Sequence, residues 1–154
     1  VGSEMCIRDR YVPSTGTLYA RVFSGTASLA QYADLAENYL TDAAYEPGTV
    51  VVIGGAREAT ASTVNYDKKV LGVISTEPAY LMNTKIVGQP IALRGRVPCK
   101  VVGTVRKGDL LVTSSVAGHA QVSPVEYEDS RAVFAKALES KNTDGAGVIE
   151  VVIL

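Results

Sequence analysis

From Glu46 to the C-terminus, apolar positions form short runs that are separated by turn residues. The first run, residues 49–53, is a continuous β-branched segment between Glu46-Pro47-Gly48 and Gly54-Gly55. Proline presets φ in a turn and glycine accepts positive φ, so this combination indicates a strand that begins and ends at turns. The same pattern recurs at residues 69–75, 90–93, 97–102, 110–113, 132–138 and 148–154. Short strands at this spacing predict an all-β fold, either a β-barrel or a β-sandwich.

The N-terminal part of the chain lacks this pattern. Residues 1–12 show neither an apolar period nor turn chemistry and are interpreted as a non-native, adapter-derived segment, with the natural protein expected to continue upstream. Residues 13–31 are rich in Ser, Thr, Gly and Ala, which is typical of a repeat end or a linker. Residues 32–46 fit neither a helix nor a strand cleanly. The N-terminal segment is therefore predicted to be extended or partly helical, and the β-rich domain is assigned to residues 32–154.

Composition and charge narrow the classes of function. The chain is 47% hydrophobic and 20% charged, with a formal net charge of −1, as in ordinary globular domains. Because there is no basic excess, we expect no nucleic-acid partner. No apolar run approaches the roughly 18 residues of a membrane span, so we expect no membrane partner either.

The two cysteines and the single histidine suggest little chemistry. Cys6 and Cys99 are too few for a disulfide scaffold and match no metal-binding spacing. We therefore expect neither a cofactor nor a metal. Cys99 and His119 together could form a nucleophilic pair. Cys99 lies among valines in a predicted strand, however, so its thiol is expected to be buried and inert.

Several blocks of the domain together resemble one family. They are YADLAE (32–37), YEPGTVVV (45–52), VLGVIST (70–76), PAYLMN (78–83), ALRGRVPC (92–99), KGDLLVTS (107–114) and AKALE (135–139). From about residue 30 onward, the chain resembles the C-terminal domains of tail fibre proteins from tailed bacteriophages, especially those of marine cyanobacteria.

The resemblance implies a virion structural protein of the phage tail, made in the host cytoplasm. Its C-terminal domain would hold three identical chains together as a homotrimer and would act as an intramolecular chaperone for the upstream fibre repeats. The implied partners are other phage tail proteins and a host surface glycan or protein. Receptor contact would use the loops at 80–88 and 123–131, which carry Tyr80 and Tyr127. A capsid-decorating barrel would show much the same pattern.

A more distant similarity is to the self-cleaving chaperone domains of phage tail spikes and neck appendages. Asp34-Leu35-Ala36-Glu37 corresponds to their Asp-aromatic-Ala-Glu block. Leu35 stands where the tail spikes tend to have an aromatic residue, and Ala33 stands where self-cleaving members commonly have Ser. The resemblance implies a peptidase-like, single-turnover cut between Ala33 and Asp34.

This cut has a chemical rationale. The Asp34 carboxylate can reach the carbonyl carbon of Ala33 through a six-membered ring. On a helix, Glu37 would share a face with Asp34 and could protonate the departing nitrogen. The alternative is an ordinary solvated face, since Asp and Glu three residues apart are common there.

The other candidate site is a basic strand face. Strand alternation places Arg94, Arg96 and Lys100 on one face and Val97 and Cys99 on the other. The basic face could bind an anion, an acidic glycan or carboxylates of a neighbouring protomer. It could also simply discourage edge-to-edge pairing of strands. The candidate carboxylates on the neighbouring protomer are Glu126, Glu128 and Asp129.

Overall fold

The computed structural model describes residues 10–15, 17–19, 33–124 and 130–154. The chain divides into two compact units, Val1–Ala30 and Gln31–Leu154. In the first unit, β1 (Arg10–Val12) pairs with β2 (Thr17–Tyr19) in antiparallel fashion. The predictions for the rest of residues 1–31 lie outside the described residues.

The described residues of the second unit form ten strands. They are β3 (Asp34–Tyr39), β4 (Val50–Ile53), β5 (Ala59–Ala61), β6 (Val70–Ile74), β7 (Tyr80–Met82), β8 (Gln89–Val102), β9 (Leu110–Thr113), β10 (Ala120–Val122), β11 (Ala135–Ala137) and β12 (Ala146–Ile153). A 3₁₀ turn lies at Ser130–Ala132, and none of the described residues forms an α-helix. The predicted all-β class is confirmed for the residues that the structure describes.

Five of these strands close into a β-barrel, as predicted. Their order is β8, β12, β11, β9 and β10, and the parallel pairing of Ala120 with Val101 returns β10 to β8. Inward-facing side chains of the five strands fill the interior, and the largest fully buried ones include Leu111, Val101 and Val151. A small closed barrel is a packed core rather than a channel, because its side chains fill the interior.

A second layer of strands extends from the N-terminal half of β8. In this half, β8 pairs with β3 along one edge and with β6 along the other, and β4 and β5 continue the sheet beyond β6. Strand β7 adds to β3 in parallel. Adjacent valines of β4 face opposite sides, so Val50 joins the barrel core and Val51 joins a second core with Ile74 and Ile91. The domain therefore has two cores, and β8 contributes to both.

Several elements differ from the sequence-based prediction. The segments predicted at 90–93 and 97–102 form the single strand β8, because Gly95 continues the strand with a φ of 98°. The helical alternative for residues 32–46 is wrong where the chain is described, since Asp34–Tyr39 is a strand. Within the described part of the chain, no helix is long and apolar enough to cross a membrane.

Candidate functional site

A cavity of about 300 Å³ lies beside the first residue of β3. The surrounding segments are β3, the loop after β6, the middle of β8 and β12. The polar side chains of its lining are Asp34, Ser75, Thr76, Glu77, Arg96 and Glu150. The cavity therefore includes the predicted nucleophile Asp34 and one residue of the predicted basic face.

Backbone hydrogen bonds hold Ala33 and Asp34 beside this cavity. The Arg96 N–H donates to the Ala33 carbonyl oxygen over 3.1 Å, and the Ala79 N–H donates to the Asp34 carbonyl oxygen over 2.9 Å. Asp34 pairs with Gly95 across the two strands. A Cβ at Gly95 would lie 2.3 Å from the Ala33 oxygen. The close approach of β3 to β8 therefore depends on a residue without a side chain.

Two buried oxygen atoms at the cavity lack hydrogen-bond partners among the described residues. Asp34 is 6% exposed and Ser75 is 3% exposed, yet neither Asp34 Oδ2 nor Ser75 Oγ has a partner there. An unsatisfied buried polar atom costs about 1–3 kcal/mol. Such atoms are few in native proteins, and each calls for an explanation, of which a functional role is one.

Glu37 does not share this cavity with Asp34. In β3 alternate side chains point to opposite faces, and burial alternates accordingly, so Asp34 lies on the buried face and Glu37 on the other. Glu37 Oε2 accepts a hydrogen bond of 2.9 Å from the Tyr39 hydroxyl. Burial raises the pKa of that hydroxyl, and the Glu37 carboxylate raises it further. The prediction that Asp34 and Glu37 share a helical face is therefore wrong, because this segment is a strand that pairs with β8.

Two other carboxylates, Glu77 and Glu150, line the cavity instead. Glu77 lies in the loop between β6 and β7, and Glu150 lies in β12 opposite Pro98 of β8. Their convergence depends on strand register over long sequence separations. Neither residue stands in a recognisable motif with Asp34, so sequence reasoning missed both.

The predicted alternation along β8 is confirmed by burial. Val97 and Cys99 are 2% and 0% exposed, whereas Arg94 and Arg96 are exposed and Lys100 is half-buried. Of the three basic residues, Arg96 is the one in the cavity lining. The proposed neighbours Glu126, Glu128 and Asp129 lie outside the described residues.

Lys100 has partners within its own chain. Its Nζ donates to Glu46 Oε2 over 2.9 Å and to Thr49 Oγ1 over 3.1 Å. The hydrogen bond and the positive charge of Lys100 lower the pKa of the Glu46 carboxyl. Lys100 is one of the three basic residues that were predicted to bind an anion or a neighbouring protomer. In this structure its charge is already paired with Glu46 of the same chain.

Cys99 has the environment of a structural thiol. It is fully buried in the barrel core, and this burial raises the pKa of its thiol to about 12. His119 is half-buried, and its Nδ1 lies 2.7 Å from the Ala117 carbonyl oxygen. Among residues 10–15, 17–19, 33–124 and 130–154, no three His, Cys, Asp or Glu side chains are grouped to hold a metal ion. Cys6 lies outside these ranges.

Tyr80, one of the two tyrosines expected at a receptor-binding tip, is 64% exposed. Tyr127 falls outside the described part of the chain.

In comparisons with known proteins, the chain matches no protein-family model and no curated protein at a significant level.

Proposed function

We propose that this chain is the C-terminal domain of a phage tail fibre or tail spike, where it assembles as a homotrimer in the virion. Its role is structural and chaperone-like: it brings three chains into register and closes the end of the fibre. The sequence blocks that resemble such domains support this proposal, and a closed barrel suits a structural role. Other tail proteins and a host surface glycan or protein are its further proposed partners.

The observation that favours self-association is a row of outward-facing side chains across the barrel. Strand register places Arg96 beside Val152, Val152 beside Lys136, and Lys136 beside Leu110. Leu110 is 40% exposed, and Val148 on the same face of β12 is 58% exposed. Exposed apolar groups interleaved with cations on a sheet face suit a protein interface with an apolar centre and complementary carboxylates.

The proposal predicts that the protein forms a trimer and that this face of the barrel lies in the interface between its chains. We expect the full-length chain to have three times its 16.2 kDa mass in light scattering. Lys136→Glu combined with Val148→Asp should weaken association at least about tenfold, because like charges and a desolvated carboxylate would then face the partner. Lys85→Glu, an exposed charge reversal outside the barrel strands, is the matched control. A monomer at every accessible concentration would refute the trimer.

We propose self-cleavage at Ala33–Asp34 as the second candidate function. In this mechanism, an Asp34 carboxylate oxygen attacks the Ala33 carbonyl carbon and the C–N bond breaks. The Asp34 nitrogen takes a proton from Glu77 or Glu150, and water then hydrolyses the anhydride to restore the Asp34 carboxylate. The Arg96 N–H, 3.1 Å from the Ala33 oxygen, would stabilise the developing oxyanion. Holding both reacting groups in one chain supplies part of the rate enhancement.

Intact-mass spectrometry tests this second candidate. We expect a fragment that begins at Asp34 to accumulate after the full-length chain folds. Asp34→Asn should abolish it, whereas Glu37→Gln should leave it unchanged because Glu37 lies on the opposite face of β3. A folded chain that keeps its full mass after days of incubation would exclude cleavage and leave the structural proposal standing.

A further inference from the structure

The loop between β11 and β12 carries an exposed aspartate that is followed by a glycine, Asp144-Gly145. It is the one Asp-Gly pair of the sequence, which has no Asn-Gly pair. The fold does not require glycine at this position. Gly145 has no positive φ, and apart from its chain neighbours no atom of the described residues lies within 4 Å of the place of a Cβ. Gly95 differs in both respects.

The hydrogen bonds of this pair favour attack by the Gly145 nitrogen on the Asp144 carboxyl group. The Thr104 hydroxyl donates to Asp144 Oδ1 over 3.0 Å, and a donor at this oxygen stabilises the negative charge that develops there during the attack. The Gly103 N–H donates to the Asp144 carbonyl oxygen over 3.1 Å. This bond polarises the peptide group and makes its N–H more acidic. None of the described residues accepts a hydrogen bond from the Gly145 N–H.

We propose that Asp144 is a site of spontaneous isomerisation to isoaspartate and that the native fold leaves this site reactive. The Gly145 nitrogen bonds to Asp144 Cγ. Its proton and the hydroxyl group of the protonated carboxyl leave as water, which closes a five-membered succinimide ring. Water then adds to one of the two ring carbonyls. Opening at Cγ restores aspartate, whereas opening at the main-chain carbonyl makes the chain run through the Asp144 side chain.

Isomerisation changes the start of β12. The main chain through the side chain is one carbon atom longer, and Ala146 begins β12 directly after Gly145. Lys141 Nζ donates to the carbonyl oxygens of Gly145 and Gly103, so it connects this loop to the residue after β8. The added atom displaces the Gly145 carbonyl from Lys141 and loosens the connection. The reaction leaves the mass of the chain unchanged and needs neither trimer formation nor self-cleavage.

Incubation of the full-length chain in H₂¹⁸O at neutral pH tests the proposal, because each succinimide that opens takes up one oxygen atom from water. Digestion with trypsin in ordinary water then releases residues 142–154, in which Asp144 is the one aspartate. Chromatography coupled to mass spectrometry separates the isoaspartate form of this peptide. We expect the ¹⁸O-labelled isoaspartate form to accumulate over weeks, at a rate within about tenfold of that of the synthetic peptide 142–154.

Gly145→Ala is the matched variant. Neither the backbone conformation nor a neighbouring atom opposes a Cβ at this position, so the variant is expected to fold like the parent chain. It should slow the reaction at least about fivefold, because a side chain restricts the backbone and crowds the attacking nitrogen.

Asp109 is the internal control. It is followed by Leu110, and its Oδ2 accepts a hydrogen bond of 2.8 Å from the Arg106 N–H. We expect less than about a tenth as much isoaspartate there as at Asp144, because the Leu110 side chain hinders the attack. Equal amounts at the two aspartates, or an unchanged rate in Gly145→Ala, would overturn the proposal. A rate at Asp144 below a tenth of that of the free peptide would also overturn it, since the fold would then protect the bond.

Discussion

Replacing Gly95 by alanine is expected to lower the free energy of unfolding by about 3 kcal/mol or more. Two effects add. A side chain at a φ of 98° costs about 1–3 kcal/mol, and the new Cβ would lie 2.3 Å from the Ala33 oxygen and 2.9 Å from the Asp34 Cα. These neighbours are backbone atoms, so relief requires β3 to move away from β8. Urea-induced unfolding of the two proteins measures the loss.

Gly108 offers a matched control for this variant. Its φ of 95° is nearly that of Gly95, but no atom lies within 4 Å of the position that a Cβ would take. Gly108→Ala therefore introduces the conformational strain without the collision, and we expect a loss of about 1 kcal/mol. Equal losses for the two variants would show that the collision between the new side chain and β3 is relieved at no cost. The difference between the two losses measures the cost of this collision.

The Cys99 thiol is expected to react with a disulfide reagent at pH 8 more than about tenfold more slowly in the folded protein than in the unfolded one. Burial raises its pKa from 9.0 to about 12. Each pH unit below the pKa lowers the thiolate fraction about tenfold, and the thiolate is the nucleophile. Lack of access to the reagent slows the reaction further. The experiment uses a Cys6→Ser background, so that Cys99 alone reports.

The same background in concentrated urea is the control, since it should react at the rate of an ordinary thiol. A folded-state rate within tenfold of the urea rate would mean that the barrel opens readily around β8. It would also revive the nucleophilic pair of Cys99 and His119 that burial now argues against.

Much of the fold could be predicted where the local pattern is strong. Strand β4 and strand β9 are short apolar runs between turns, and their predicted ranges agree with Val50–Ile53 and Leu110–Thr113 to within one residue. Some three-residue strands escaped prediction because they are too short to show a period. Ala59–Ala61 and Ala120–Val122 are examples. Their strand geometry comes from pairing with longer neighbours, and β-propensity of this kind depends on context.

The candidate site could be predicted only in part, because it too depends on pairing between strands that are distant in sequence. The block of residues 34–37 points to Asp34, but its local pattern does not decide between helix and strand. Pairing with β8 makes this block a strand, and Glu37 therefore lies on the face of β3 opposite to Asp34. Ser75 and Glu150 meet Asp34 only through the register of strands far apart in sequence. No local pattern carries that information.

Strand β8 belongs to the barrel through residues 95–102 and to the second layer through residues 89–95. Displacement of β8 from its partners in one layer would therefore disturb its pairing in the other. The domain should therefore melt in one step, with the amide protons of β8 among the slowest to exchange with solvent. A force applied along the chain would meet resistance from both layers at once.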